Sequence, residues 1–140
     1  MTLENIRLFK VQTLRAIAQL YKSFPTPTTI DHSALLRQPI ATKDGGVIVE
    51  VELEGGPDAG TILWLYGQGF VDGNLQESKP LNGAQSAAIT NAQLTTKALR
   101  ILEAVDPNTG AVLGEFAVAS AFGPSEIEAA DLLYRQLLAN

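Results

Sequence analysis

The strongest constraint in this chain is the run of helical periodicity at its start. Leu3, Ile6, Phe9, Leu14, Ile17, Leu20, Tyr21 and Phe24 fall on one arc, with Gln12, Arg15, Gln19 and Lys22 opposite. That is the 3.6-residue period of an amphipathic helix. Such a helix needs a covering surface for its apolar arc, so the rest of the chain has to supply a core. With 140 residues, 46% of them hydrophobic, the chain has material for one such core and no room for a second full domain. Pro25 and Pro27 stop the helix, and Thr28, Thr29 or Asp31 offers a cap for a short second helix over Ala34 to Arg37.

The middle of the chain changes period. After a Lys43-Asp44-Gly45-Gly46 turn, Val47, Val49, Val51 and Leu53 alternate with Ile48, Glu50, Glu52 and Glu54, which predicts a strand with one acidic face. Gly55-Gly56-Pro57 breaks that strand. Asp58 then stands as a cap for a helix through Thr61 to Tyr66, closed by Gly67 or Gly69. Phe70 and Val71 begin an extended segment, residues 72 to 86 read as a long polar turn, and a second short strand follows near Ala87 to Ala92. A helix is expected from about Thr95 to Val105, with Leu94, Ala98, Ile101, Leu102 and Val105 on its apolar face.

Asp106-Pro107-Asn108-Thr109-Gly110 reads as a turn. Residues 111 to 122 fit either helix or extended chain. In the last segment Ser125 and Glu128 have capping-box spacing, and Ile127, Ala130, Leu133, Tyr134, Leu137 and Leu138 form a helical stripe.

The segment Leu63-Trp64-Leu65-Tyr66-Gly67-Gln68-Gly69-Phe70-Val71, followed by a turn, a strand and Leu94-Thr95-Thr96-Lys97-Ala98-Leu99-Arg100-Ile101-Leu102, resembles a winged helix-turn-helix domain. The resemblance implies an α+β fold: a winged-helix-like three-helix core with a small β wing, over residues 1–106, and added C-terminal helices over 107–140. It makes the helix near Thr61 to Gln68 the one that would enter a DNA groove, and residues 72 to 86 the wing. The acidic strand before residue 55 and the glycines before Thr61 are additions to that plan.

The residues of that helix do not suit a nucleic-acid face. Reading base edges takes Arg, Lys, Asn or Gln, and the helix offers Thr61 and Gln68 around five apolar side chains. No cation lies between Asp44 and Gly73, whereas Glu50, Glu52, Glu54, Asp58 and Asp72 do. A net charge of −5 points the same way. The residues left for DNA are Arg7, Arg15 and Lys22 on the first helix, Lys79 in the wing, and Lys97 or Arg100.

Other chemistries find little support. Gly55 to Thr61 has the glycine spacing of a phosphate loop but puts Thr61 where a Lys belongs and Asp58 where phosphate would sit. His32 is the sole histidine and cysteine is absent, so no metal, cofactor or Ser-His constellation is evident. Glu50, Glu52 and Glu54 read as a solvated strand face. No run reaches the roughly 20 apolar residues of a membrane span, and the chain reads as cytoplasmic.

Two features remain. The first helix carries Arg7, Lys10, Arg15 and Lys22 against Glu4, while residues 103–140 hold six acids and one base. These opposite charges are suited to pairing, within the domain or between subunits. The C-terminal stripe is suited either to packing on the chain's own core or to making a dimer. The expected function is therefore a non-catalytic regulatory or assembly module acting through protein–protein contacts and self-association, with Trp64, Tyr66, Leu133, Tyr134 and Leu137 as interface candidates. The alternative is a DNA-binding transcriptional regulator using the basic N-terminal helix and wing. A ligand pocket around Trp64, Tyr66 and Phe70 is the third possibility.

Overall fold

A computed structural model describes residues 3–31, 37–41, 48–52, 59–78, 86–107 and 110–139. Among them the fold is α+β. Helix α1 (Leu3–Ser23) precedes strand β1 (Thr28–Asp31), and β2 (Arg37–Ala41) and β3 (Ile48–Glu52) follow. Then come α2 (Gly60–Gly67), β4 (Val71–Ser78), β5 (Ser86–Leu94), α3 (Thr96–Leu102), α4 (Leu113–Ser120) and α5 (Glu126–Leu138). No helix of the described residues is long and apolar enough to cross a membrane.

β1, β5 and β4 form an antiparallel sheet in that order, with β5 central. Its register sets Ile30 against Ile89 and Val71 against Leu94. Strict alternation would put either Ala87 and Ile89 or Ala92 and Leu94 on the core side, yet all four are buried. Asn91 supplies the extra residue, at φ +53°, beside register shifts in both neighbouring pairings. Gly73 (φ +148°) lies at the shift in β4, where a Cβ would stand 2.7 Å from Ile89 and 2.8 Å from the Thr90 carbonyl.

The 72–86 segment is thus more strand than turn: β4 runs to Ser78, and only 79–85 lie outside the described residues. The expected short helix is also revised at its end. Arg37 opens β2, because Pro39 two residues on has no N–H for a helix and biases its predecessor toward extended backbone. β2 pairs with β3 as a separate two-stranded ribbon, Pro39 facing Glu50. The rest of that expected helix, His32, Glu54, Asp58 and Lys79 lie outside the described residues.

α1 is the axis of the core. Leu14, Ile17 and Leu20 are buried, but so are Gln12, Thr13 and Arg15, which the sequence puts on or near an open face. The reason is tertiary: the sheet and α2 cover one side of α1, and α4 and α5 cover the other. The Gln12 carbonyl oxygen accepts the Thr61 hydroxyl proton from α2, while its Nε2 is buried with no partner among the described residues.

α2 closes with a Schellman arrangement. Phe70 N–H donates to the Leu65 carbonyl (3.1 Å), Gly69 N–H donates to that of Tyr66 (3.2 Å), and Gly69 takes the left-handed position at φ +78°. Thr95 then joins α2 to α3. Its hydroxyl donates to the Gly69 carbonyl at 2.6 Å and accepts from Ala98 N–H at 3.2 Å, capping α3.

The uncertain 111–122 segment is resolved as helix α4 over Leu113–Ser120. Gly114 lets it approach α1, since a Cβ there would lie 2.5 Å from the Tyr21 ring. The capping box at the start of α5 does not form, as Ser125 makes no side-chain cap bond. Glu126 instead turns inward, and one carboxylate oxygen accepts the Phe122 N–H.

Candidate interaction surface

The five interface candidates separate. Leu133 and Leu137 are buried against α1, so their side chains complete the chain's own core and are not offered to a partner. Trp64 and Tyr134 are half-buried in an aromatic cluster. Phe9 meets Trp64 edge-on at 5.1 Å and Tyr134 edge-on at 5.6 Å, and Trp64 lies 5.6 Å from Phe70. Such contacts fix rings in place and add to the area they bury. Tyr66 alone of the α2 aromatics is exposed.

The candidate nucleic-acid cations are also dispersed. Arg15 is 2% exposed and makes a two-pronged pair with Glu126, Nε to Oε2 and Nη2 to Oε1, both at 2.9 Å. Its guanidinium also lies 4.2 Å from the Phe122 ring centroid. A guanidinium buried against a carboxylate is out of reach of a phosphate backbone, so Arg15 is removed from the nucleic-acid set. Lys97 donates to the Gln68 carbonyl at 2.9 Å and sits 4.7 Å over the Phe70 ring. It neutralises the C-terminal end of α2. Arg7 and Lys22 are exposed but lie near opposite ends of α1.

The opposite charges at the two ends of the chain meet inside it. Besides Arg15 with Glu126, Lys10 bonds Asp131 at 2.8 Å, and Arg135 reaches the same carboxylate at 2.9 Å. The Lys10 hydrogen bond, with the charges of Arg135 and Lys10, holds the Asp131 carboxyl below its ordinary range. Because residue 10 meets 131 and residue 15 meets 126, α1 and α5 run antiparallel.

Among the described residues, two surfaces combine exposed apolar side chains with a cleft. The first is the outer edge of α5, where Ile127 and Leu138 are 52% and 60% exposed on one helical face with half-buried Tyr134 between them. A shallow cleft of about 380 Å³ runs along its start, lined by Ile6, Arg7 and Lys10 of α1 and by Ile127, Glu128 and Asp131.

The second open surface is a groove of about 550 Å³ between the α3–α4 connection, α4 and α5. Val105 (59% exposed), Pro107, Ala111, Leu113, Phe116 (37% exposed) and Leu132 supply most of its wall, with Asp106 and Gln136 as polar groups. The groove is not legible in the sequence: the helical period from Thr95 to Val105 places Val105 on the apolar face, but α3 ends at Leu102. Val105 instead enters an isolated bridge with Val112, closed by Asp106 N–H to the Ala111 carbonyl (2.8 Å) and Gly110 N–H to that of Asp106 (2.7 Å). The available signal was the Asp106-to-Gly110 turn directly after Val105.

Among the described residues no group of three acidic, His or Cys side chains gathers to hold a metal. No family model, no curated protein and no solved structure matches the chain.

Proposed function

We propose that this chain is a non-catalytic, winged-helix-like regulatory or assembly module that acts through protein–protein contacts, beginning with self-association along the outer edge of α5. Exposed Ile127 and Leu138, with half-buried Tyr134 between them on one helical face, carry the reading. Exposed apolar side chains on one helical face, rimmed by polar groups, have the composition of a contact surface. The rim has both signs, with Arg7, Lys10 and Arg135 beside Glu128 and Asp131. Mixed signs suit a two-fold contact, because a cation of one copy can face an acid of the other.

Support for the winged-helix-like plan is local. α2 closes on Gly69, Phe70 and Val71 lead into β4, β5 returns antiparallel, and Thr95 caps α3. The DNA-binding alternative has less to work with, since Arg15 is enclosed and Lys97 is committed to Gln68.

Sedimentation equilibrium tests self-association directly. The expected result is a dimer that Ile127→Lys and Leu138→Lys both convert to monomer. A wild-type chain that stays monomeric at high concentration overturns self-association. A mobility-shift titration with duplex DNA tests the alternative. Binding at low salt that weakens steeply as salt rises would revive it, and no shift at low salt removes it.

A further inference from the structure

The groove between the α3–α4 connection and α5 differs in charge from the stripe on the other shoulder of α5. Its described lining residues include Asp106 and no Lys or Arg; Glu103 and Glu115 are the neighbours in sequence of lining Ala104 and Phe116, while Arg135, next to lining Gln136, is paired with Asp131. Glu103 accepts the Tyr21 hydroxyl proton at 3.0 Å, and the Tyr21 phenol is pushed up by burial first and then by Glu103 and Glu115. Both carboxylates therefore act on one hydroxyl, that of Tyr21, whose ring packs beside Gly114 at the start of α4.

The groove is also built and not left over. Its outer wall is held by the Val105–Val112 bridge, the two turn bonds of Asp106, and Leu113 N–H on the Ala104 carbonyl at 3.1 Å. A backbone-braced wall keeps Val105 and Phe116 presented, so a partner meets a surface that needs little ordering. Its volume lies within the range of roughly 300–1,000 Å³ typical of sites that enclose a ligand-sized group.

A second copy meeting this groove face to face would bring Asp106 toward its own counterpart, and like charges at a contact are unfavourable. The rim therefore selects an occupant of the opposite sign. We infer that this groove is the docking site for a segment of a partner protein that presents a large apolar side chain next to Lys or Arg. The inference rests on the reading of the chain as a protein-contact module, but it uses a surface separate from the self-association stripe.

The test is selection of a random-peptide library on the full chain, with counter-selection on Val105→Asp. Val105 is exposed, so that variant is expected to keep the wild-type fold, and a circular dichroism melt verifies it. The expected outcome is a class of peptides with an aromatic or Leu anchor flanked by Lys or Arg. Measured by fluorescence anisotropy, such peptides should bind Val105→Asp and Phe116→Gln at least about tenfold more weakly. Glu103→Gln with Glu115→Gln should cost about threefold and flatten the salt dependence.

A selection that yields no basic class, or peptides that bind Val105→Asp as well as wild type, overturns the inference. Loss of dimer in Val105→Asp, read by sedimentation, would make a second copy the occupant and overturn it equally. None of these results touches the Ile127 and Leu138 variants, which judge the self-association reading separately.

Discussion

The two sides of α5 handle charge in opposite ways. Toward α1, Glu126 is enclosed with Arg15, and Asp131 is shared by Lys10 and Arg135. Toward the α3–α4 connection, Glu103 accepts the Tyr21 hydroxyl proton, the charge of Glu115 acts on the same phenol, and the described residues lining the groove include Asp106 but no Lys or Arg. An acid matched by a cation helps close a seam within the chain. On the groove side an acid, Asp106, stands beside the exposed apolar Val105 and Phe116, the arrangement on which the docking proposal rests. Depth adds a second contrast within the seam, because the Arg15 pair is buried and the Lys10 pair meets solvent.

The largest effect expected on this contrast comes from Glu126→Ala. It leaves the Arg15 guanidinium buried without its partner and frees the Phe122 N–H, a change that typically costs about 3–5 kcal/mol. Urea unfolding reads it, and a loss below about 1 kcal/mol would mean that the inner end of the seam is not closed as described. The paired change Arg15→Met with Glu126→Leu sharpens the point. Removing both charges together should recover most of the loss, since the penalty lies in the unpaired charge and not in the absent bond.

Gly114→Ala comes next. Its Cβ would meet the Tyr21 ring at 2.5 Å, so the ring must swing away from α4, at about 1–3 kcal/mol. The same movement breaks the Tyr21 bond to Glu103, and the phenol should then titrate closer to its ordinary value. In the wild type, a phenol raised by folding contributes stability that is present below its unfolded value and lost as pH rises through the folded one. An unchanged Tyr21 titration in Gly114→Ala would count against this packing.

Lys10→Ala should cost several-fold less than Glu126→Ala, because its pair is solvated and screened by salt. Its clearer signature is the Asp131 carboxyl, which should titrate higher without the Lys10 hydrogen bond. A carboxyl lowered by folding contributes stability that is present above its unfolded value of about 3.9 and lost as pH falls through the folded one. The stability profile of Lys10→Ala should therefore be flatter at acidic pH than that of wild type. The smallest effect is Val105→Asp, expected to change stability by no more than about 0.5 kcal/mol although it removes an apolar group. A larger loss would show that Val105 supports the fold and is not held out for a partner.

The sequence made particular elements legible. Helical spacing predicted α1 and α5, Gly69 marked the end of α2, and Thr95 the start of α3. These are local decisions, set by side-chain period and by backbone conformations that Gly and Thr favour. Polar length misled at 72–78, where Asp72, Asn74 and Gln76 look outward from a strand whose partner supplies the order. Proximity in sequence also misled at Val105, which completes the apolar period of α3 but lies past its end.

The amino-acid sequence by itself determined that this chain makes a long first helix, carries opposite charge at its two ends, and has a helical C-terminal stripe. Only the tertiary structure decided which charges meet and which apolar groups stay outside. Gln12 and Arg15 read as solvent-facing until a second layer of helices covers α1, and Leu133 reads as an available surface until it completes that layer. Burial depends on what other segments do at a distance, and helical period fixes only direction around one axis. The groove beside Val105 is decided at that second level, by where α3 ends and how the next turn is bonded.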